Sequence, residues 1–400
     1  MSYKKTIFVS IYRKNTERYI LETDIYKELV QDKRVNLILL VNEDDLDRVQ
    51  TIVSKEGVTV LPIFYQKCIK TLRSPLASVL YLTRMMTYGK DSRIENSTRE
   101  VWRVQNKYKG LRVRVSLATI YRKIEFTVAS IISWCANRVP FIRKGVLALE
   151  SMLFPGTIYD NYFKEYSPQL LVVGSLGHMI DSYIMRAARR KKCPIMTIYC
   201  NWDNASSKGY KGCDADSVVV WNESMKQHVH VFQDIEPNRI HVCGIAHWDH
   251  YFKKPLQHSA REQFCKKNGL DQHRRILFFG VAAPALWKHS FDIVDRLIRK
   301  SEQEEFCKPV QLIVRLHPAY FESPKDGLDA LIRREFKGRI ETLQKTYEKH
   351  LKFIHPVSVS LNGGQSTRAR NSGDLSEKLY HSDILLTQYS TLMLEGPICD

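Results

Sequence analysis

The chain lacks the sequence signatures of several large enzyme classes. No GxGxxG or GxxxxGK(S/T) phosphate loop follows the strand-like run RRILFFG, which leads instead into VAAPALWKHS. This argues against a dehydrogenase and against a P-loop ATPase. No GxSxG nucleophile elbow occurs, and no set of His, Cys and carboxylate residues has zinc-ligand spacing. Redox, kinase-type and serine-hydrolase chemistry are therefore disfavoured.

Long apolar runs and paired cysteines are also missing. The best apolar candidate, FTVASIISWCA, is shorter than a membrane-spanning helix and is followed by Asn137 and Arg138. The start, MSYKKTIFVSIYRK, has only a short strand-like apolar run, so it does not predict a signal peptide. The nine cysteines are scattered without a CxxC pair. These features predict a cytoplasmic protein with reduced thiols.

Acidic residues are scarce in one long segment. The chain has a formal charge of +18 at pH 7, and residues 66 to 144 hold 17 Lys and Arg against 4 Asp and Glu, a net +13. Such a run is typical of a solvated basic face, of a surface for anionic lipid or an acceptor, or of a nucleic-acid surface. The interleaved apolar residues in SVLYLTRMMTYGK and VSLATIYRKIEFTVASIISW favour a membrane-facing or acceptor-facing region over nucleic acid. A peripheral position on the inner face of the cell membrane fits this pattern.

Continuous apolar runs alternate with helical patterns along most of the chain. Runs such as VNLILLVN and PQLLVVGS are typical of strands buried on both faces, and ERYILETDIYKELVQD predicts a helix. The alternation predicts an α/β fold with two Rossmann-like domains and a cleft between them. We expect a first domain at 1–248 with a basic, mostly helical insertion at about 66–150, a linker and first helix at 249–272, and a second domain at 273–400.

Ligands of open parallel sheets bind beyond the carboxyl ends of the strands, so residues directly after strands are the candidates. In the first domain, FVSIYRKNTER and VVGSLGHMIDS place Arg13, Asn15, His178 and Asp181 near helix starts. His178 could act as a base for an acceptor hydroxyl. A structural role is the alternative, since a single histidine in such a loop is commonly structural.

A further loop, YCNWDNASSKGYKG, follows the strand PIMTIY and is dense in short polar side chains. Asp203 could be a general base for a substrate hydroxyl, with Asn204, Ser206 and Ser207 as hydrogen-bond partners and Lys208 nearby. A plain surface loop with an Asx turn is the alternative.

The second domain offers two places after strands. Arg315 and His317 alternate in VRLHPAY and point to the same side, where a cation and an imidazole could neutralise a pyrophosphate or relay a proton. Ser390 ends the run ILLTQYS, directly after the predicted strand, and can cap the next helix, whose N–H groups suit a phosphate. Thr391 and Glu395 share a face of that helix, and Glu395 could accept ribose hydroxyls. A plain strand end, a plain N-cap and a solvated glutamate are the alternatives.

Together these segments resemble the GT-B fold glycosyltransferases. PQLLVVGS, MRAARRKKCPIMTIYCNWDNASSKG, DADSVVVWNESMKQHV and NRIHVCGIAHWD are similar to their first half, and ILFFG, IVRLHP and HSDILLTQYSTLMLEGPI to their second half. The chain is most similar to bacterial surface-polysaccharide and CDP-glycerol glycerophosphotransferase-like enzymes. The resemblance covers about residues 165–400, whereas 1–65 fit only a generic Rossmann half. More of the second domain normally follows LEGPICD, so that domain is expected to be incomplete at its C-terminal end.

The resemblance implies transfer of a sugar or polyol-phosphate unit from a UDP- or CDP-linked donor to a cell-surface glycan or lipid-linked acceptor. Ser390 and Thr391 would hold the phosphates of the donor, and Glu395 its ribose. Arg315 and His317 would lie against the pyrophosphate or the transferred group. It also implies catalysis without a bound metal or a resident cofactor.

The catalytic candidates are Asp203, His317 and His178. The residues expected at the acceptor or on the cleft wall are Arg13, Asn15, Asn204, Ser206, Ser207 and Lys208. A non-hydrolysing nucleotide-sugar 2-epimerase, which shares the fold, is the alternative enzyme. A basic nucleic-acid-binding or non-catalytic protein is the alternative of a different class.

Overall fold

The protein is described by a computed structural model that covers residues 4–54, 56–71, 74–88, 117–253, 260–282, 289–317, 320, 328–354, 375–388 and 390–399. The chain divides into two compact units, Met1–His247 and Trp248–Asp400. Each unit is built on one parallel sheet, so the predicted α/β class with two Rossmann-like units is confirmed.

Seven parallel strands form the sheet of the first unit. They are β1 (Lys5–Ser10), β2 (Val35–Asn42), β3 (Thr59–Ile63), β4 (Leu170–Val173), β5 (Ile195–Ile198), β6 (Ser217–Val220) and β7 (Ile240–Val242). Their spatial order is β3-β2-β1-β4-β5-β6-β7. β2 is buried at Leu37 through Val41, as expected of a strand covered on both faces.

Eleven helices belong to the described part of the first unit. They are α1 (Lys14–Leu21), α2 (Asp24–Gln31), α3 (Leu46–Val53), α4 (Tyr65–Thr71), α5 (Pro75–Met85), α6 (Leu117–Arg138), α7 (Pro140–Leu153), α8 (Asp160–Tyr166), α9 (Met179–Arg190), α10 (Asn204–Ser207) and α11 (Glu223–Gln233). Four of these helices, α4 to α7, lie wholly or mostly within the segment predicted as a basic insertion. Residues 89–116 of that insertion lie outside the described part.

The single helix predicted over ERYILETDIYKELVQD is wrong, because α1 and α2 are separate. Thr23 between them is extended, with φ −119° and ψ 172°. Its hydroxyl donates to the carbonyl oxygen of Tyr19 at 2.8 Å. A threonine that bonds to the preceding turn competes with continued helix, and Asp24 then begins α2 with an acidic first turn.

The second unit has four parallel strands in the order β10-β9-β8-β11. They are β8 (Arg275–Gly280), β9 (Val310–Arg315), β10 (Leu351–Ile354) and β11 (Ile384–Thr387). The helices are α12 (His250–Lys253), α13 (Arg261–Asn268), α14 (Ser290–Glu302), α15 (Leu328–Thr346), α16 (375–380) and α17 (Leu392–Glu395). One face of this sheet packs Phe279 and Val314 against Phe291 of α14 and Phe336 of α15.

A buried ion cluster joins three helices of the first unit. Arg84 at the end of α5 donates from Nε to Oε2 of Glu150 on α7 at 2.8 Å. Arg186 on α9 lies 3.0 Å from the other carboxylate oxygen, and all three side chains are at most 6% exposed. Burial alone would raise the pKa of Glu150, but the two guanidinium groups outweigh it and lower that pKa. Glu150 is therefore ionised at neutral pH and balances part of the buried positive charge.

The described helices include none with both the length and the hydropathy of a membrane-spanning segment.

We expect Glu150→Gln to lower the free energy of unfolding by about 3–5 kcal/mol, because Arg84 and Arg186 would remain buried without their counter-charge. Urea unfolding followed by circular dichroism measures this change. Lys27→Ala is a matched control: its ion pair with Asp24 is exposed, so the urea midpoint should hardly move. A loss below about 1 kcal/mol for Glu150→Gln would contradict a stabilising role of the cluster.

Candidate functional site

The carboxyl ends of β1 and β4 meet near the centre of the larger sheet. From β1 the chain continues to β2 and β3 on one side, whereas β4 leads to β5, β6 and β7 on the other. This is the topological switch point, where open parallel sheets bind ligands. We call the side chains at the end of β1 and after β1, β4 and β5 here (Ser10, Arg13, His178, Asp181 and Lys208) the switch-point cluster.

Ser10 and Asp181 form the buried part of the switch-point cluster. The Ser10 hydroxyl, on the last residue of β1, donates to Asp181 Oδ1 at 2.8 Å, and both residues are 1% exposed. Burial raises the pKa of Asp181 to about 7, although the Ser10 hydrogen bond and the charge of Arg13 oppose the rise. Burial and the same carboxylate raise the pKa of Tyr12. Asp181 can therefore exchange a proton near neutral pH.

Arg13 and His178 form its more open part. Both are partly buried, and Arg13 Nη1 contacts His178 Nε2. Burial and the positive charge of Arg13 lower the pKa of His178 to about 3, with smaller contributions from Lys208 and Arg84. The imidazole is consequently neutral at pH 7. An anion bound beside these cations would offset their charge and raise that pKa.

The loop after β5 places Asp203 among the neighbours that the sequence predicted. Ser207 Oγ donates to Asp203 Oδ2 at 2.8 Å, and Lys208 Nζ lies 3.7 Å from the same carboxylate. Ser206 instead donates to the Asp203 carbonyl oxygen at 3.3 Å. Asn204 is buried, and its Oδ1 has no partner among the described residues. The role predicted for Asn204 beside Asp203 stays a prediction.

This loop lies against the one that carries His178. A Cβ on Gly177 would stand only 3.0 Å from the carbonyl oxygen of Lys208. Gly209, at φ +80°, approaches α5 so closely that a Cβ would be 2.5 Å from Met85 Cα. The structure therefore brings Lys208, which the sequence had placed in a separate candidate loop, close to Arg13 and His178.

Asn15 is exposed on the first turn of α1. Its neighbours turn inward instead: Glu17 pairs with Arg48 at 2.6 Å, and Thr16 lies against Gly174, where a Cβ would clash with it. The acceptor role of Asn15 stays a prediction.

Arg84, which sequence reasoning did not single out, holds the loops of the switch-point cluster in place. Its Nη1 donates to the carbonyl oxygens of Gly177 at 2.8 Å and of Tyr210 at 3.0 Å. These carbonyls belong to the loops after β4 and β5. The buried ion cluster of α5, α7 and α9 is thus connected directly to the backbone beside His178.

In the second unit, the residues at the carboxyl edge lie in one row. Arg315 of β9 pairs in register with Gly280 of β8, and Gly280 pairs with Thr387 of β11. In-register residues of parallel strands point to one face, and the outer two of these three strands are about 10 Å apart. A Cβ on Gly280 would be 2.3 Å from Leu392 Cδ1, so this glycine lets α17 approach the sheet. Arg315 therefore lies on the face that carries α17, and His317 is exposed just beyond the strand.

Glu395 is not a solvated residue. It is 7% exposed and accepts a hydrogen bond on Oε2 from the Tyr251 hydroxyl at 2.8 Å. Tyr251 lies on α12, far away in the sequence, and is itself buried. This bond fixes the carboxylate on the last turn of α17. The ribose-binding role of Glu395 stays a prediction.

The helix after β11, α17, spans Leu392–Glu395, and Thr391 directly before it already has helical φ and ψ of −57° and −20°. The Ser390 hydroxyl accepts from the Leu392 N–H at 3.3 Å. This is the bond that an N-cap side chain makes to an N–H of the first turn, so the predicted cap by Ser390 is confirmed. The phosphate roles of Ser390 and Thr391 stay predictions.

Gln388, which sequence reasoning did not single out, connects the two loops at the β8–β11 switch point. Its Oε1 accepts from the Ala282 N–H and from the Ser290 hydroxyl, each at 3.3 Å. Its position directly after β11 was the available signal. Within the described residues, no group of three or more His, Cys, Asp and Glu side chains could hold a metal ion.

No protein-family model and no curated protein matches the chain. Solved structures similar to it include S. aureus MnaA with UDP, at 11% identity, 100% of this chain, 78% of that chain and a TM-score of 0.46. UDP-GlcNAc 2-epimerase from Neisseria meningitidis, bound to UDP-GlcNAc, is 10% identical, with 97% of this chain and 78% of that chain covered and a TM-score of 0.47. A glycosyltransferase from Rickettsia africae is 11% identical, with 99% of this chain and 77% of that chain covered and a TM-score of 0.47. Both enzyme groups considered from the sequence thus occur among the similar structures.

The pKa of Asp181 makes the stability of the first unit depend on pH. An aspartate in the unfolded chain has a pKa of about 3.9, whereas that of Asp181 in the fold is about 7. The fold therefore loses stability as pH rises from about 4 to about 7, where the unfolded chain ionises first. We expect Asp181→Asn to gain stability relative to the unmodified protein across that window, by roughly 4 kcal/mol, as measured by urea unfolding at several pH values.

His178→Gln provides the opposite control. The pKa of His178 is about 3 in the fold and about 6.5 when unfolded, so the unmodified protein loses stability as pH falls below about 6.5. The difference in free energy of unfolding between His178→Gln and the unmodified protein should therefore grow as the pH falls. Parallel stability curves for Asp181→Asn and the unmodified protein would show that the Asp181 carboxyl is not perturbed.

Proposed function

We propose that the protein is a GT-B type transferase that moves a sugar or polyol-phosphate unit from a UDP- or CDP-linked donor to a surface-glycan or lipid-linked acceptor. The glycerophosphotransferase type is part of this proposal. The first unit holds the acceptor and the second unit holds the donor. The protein works in the cytoplasm, peripherally on the inner membrane face, in surface-polysaccharide synthesis.

The switch-point cluster is the observation that carries the proposal. It combines two cations, a neutral imidazole and a carboxyl group that titrates near pH 7 at the carboxyl edge of the larger sheet. Group transfer to a hydroxyl needs a base for that hydroxyl's proton and positive charge for an anionic acceptor. The cluster supplies both.

The reaction proceeds by displacement at the transferred group. The acceptor oxygen forms a bond to the anomeric carbon of the sugar, or to the phosphorus of a polyol-phosphate. The bond from that atom to the leaving phosphate oxygen breaks, and a nucleoside diphosphate or monophosphate departs with the electron pair. The acceptor proton passes to His178, whose proton affinity rises when an anionic acceptor offsets Arg13 and Lys208. Asp203 is the second candidate base.

The donor side rests on the second unit. Arg315 at the carboxyl end of β9 and His317 beyond it neutralise the charge that develops on the leaving phosphate. Ser390 and Thr391 bind the phosphates through hydroxyl and backbone N–H groups, and Glu395 accepts from the ribose hydroxyls. The Tyr251 hydrogen bond supports this assignment, since it holds the Glu395 carboxylate in one orientation before a donor arrives.

A donor that binds only the folded protein should raise its melting temperature. We expect at least one of UDP-GlcNAc, UDP-glucose and CDP-glycerol to produce a shift of several degrees at saturation, measured by thermal unfolding. Glu395→Gln should lose the shift, because an amide offers one acceptor oxygen where the carboxylate offers two.

Two variants serve as controls for the thermal shift. Glu341→Gln removes an exposed carboxylate of the same unit and should keep the full shift. Tyr251→Phe should weaken the shift, because the carboxylate loses its orienting bond. If none of the nucleotides changes the melting temperature of the unmodified protein, the donor site is refuted.

Removing the base should slow the chemical step. We expect His178→Gln to lower kcat about 10²–10⁴-fold while the thermal shift by the donor remains. Asp203→Asn is assayed in parallel. If it lowers kcat more than His178→Gln does, Asp203 is the base. Acceptor-dependent release of nucleotide supports transfer, whereas a sugar isomer formed without acceptor would support the 2-epimerase instead.

A further inference from the structure

Helix α6 has small residues on its buried side and large apolar residues on its exposed side, whereas a surface helix of a soluble protein usually buries its large apolar residues. Its sheltered side carries small residues, because Ala129, Ser133 and Ala136 are 0% exposed. Ser133 Oγ donates to the carbonyl oxygen of Met86 at 2.5 Å, directly after α5. Small residues there allow close approach to α5, and they leave the large apolar side chains to the outside.

The outward face of α6 is a continuous apolar stripe. Its members are spaced three and four residues apart, so they share one side of the helix. They are Ile120, Ile124, Val128, Ile131 and Trp134, and they are 40% to 60% exposed. Single exposed apolar residues are ordinary, but a contiguous stripe of this length marks an interaction surface.

Helix α7 likewise has large apolar residues on its exposed side, and it has charged residues on its buried side. Its inner side holds the charged residues Arg143, which lies 2.8 Å from Asp234, and Glu150 of the buried ion cluster. Its outer side holds Phe141, 83% exposed, and Met152, 70% exposed. One residue, Val139, separates the two helices and is exposed as well.

The exposed charges of α6 and α7 are mostly positive. Arg122, Lys123, Arg138 and Lys144 are exposed, and Glu125 of α6 is partly buried. The guanidinium of Arg138 lies over the Trp134 ring, 4.0 Å from its centroid. Cations beside a stripe of Ile and Trp are typical of helices that lie in the plane of an anionic membrane interface.

We propose that the outward face of α6 and α7 docks on an anionic phospholipid bilayer, with α6 parallel to the membrane plane. The charge argues for this occupant over a second copy of the chain, because a symmetric contact would bring the four cations of one copy against those of the other. The apolar side chains enter the boundary between headgroups and acyl chains, and the cations contact lipid phosphates. This deepens the proposed function by placing the first unit beside a lipid-linked acceptor, and its test needs no donor or acceptor.

Vesicle flotation of the full chain tests the docking surface. We expect binding to vesicles of phosphatidylcholine with 30% phosphatidylglycerol, and at least tenfold weaker binding to phosphatidylcholine alone. Ile124→Glu with Ile131→Glu should reduce binding to the anionic vesicles more than tenfold, because two carboxylates would replace the centre of the stripe. Lys123→Gln with Lys144→Gln should reduce it about tenfold and weaken its dependence on salt.

Phe252→Glu is the control, since it places one carboxylate at an exposed apolar position of the second unit. It should bind vesicles as the unmodified protein does, and circular dichroism should show that all variants fold. Quenching of Trp134 by brominated lipid, lost in Trp134→Phe, should locate the stripe in the bilayer. Binding that the paired Glu variant retains would overturn the proposal. A dimer in solution that this variant dissociates, without vesicle binding, would assign the face to self-association instead.

Discussion

Burying one carboxylate between two guanidinium groups is the constraint on which the first unit depends. Glu150 of α7 contacts Arg84 of α5 and Arg186 of α9, so the three side chains come from three different helices. A buried charge that loses its partner costs several kcal/mol, so the three helices hold one arrangement. Arg84 also donates to the carbonyls of Gly177 and Tyr210. The helices of the basic insertion and the loops at the switch point are therefore positioned by the same side chain.

This arrangement also determines the electrostatics of the switch-point cluster. Burial lowers the pKa of His178, and the charges of Arg13, Lys208 and Arg84 lower it further, so its imidazole is neutral. Burial has the opposite consequence for Asp181, which keeps its proton to a higher pH. Burial thus favours the uncharged form of both groups, and the nearby cations reinforce it at the imidazole. A bound anion would change this balance, so ligand binding and proton affinity are coupled at this edge of the sheet.

The sheets can be predicted from the sequence because strands buried on both faces are continuous apolar runs, and VNLILLVN coincides with β2. The grouping of Arg13 with His178 could also be predicted, since both follow strands and parallel strands end at one edge. Hydrogen-bond partners from distant segments of the chain could not be predicted. Glu395 and Tyr251 are 144 positions apart, and such a pair leaves no periodic pattern. The break at Thr23 depends on one local hydrogen bond that hydrophobic periodicity does not report.

The reversed polarity of α7 follows from the ion cluster as well. With Arg143 and Glu150 directed inward, the large side chains of Phe141 and Met152 remain outside. Residues that are exposed both in the fold and in the unfolded chain contribute little to folding stability. The inner face therefore stabilises the unit, and the outer face is available for contacts with a surrounding surface. Because the two tasks fall on different residues, the outer face can be altered without unfolding the helices that hold the switch-point loops.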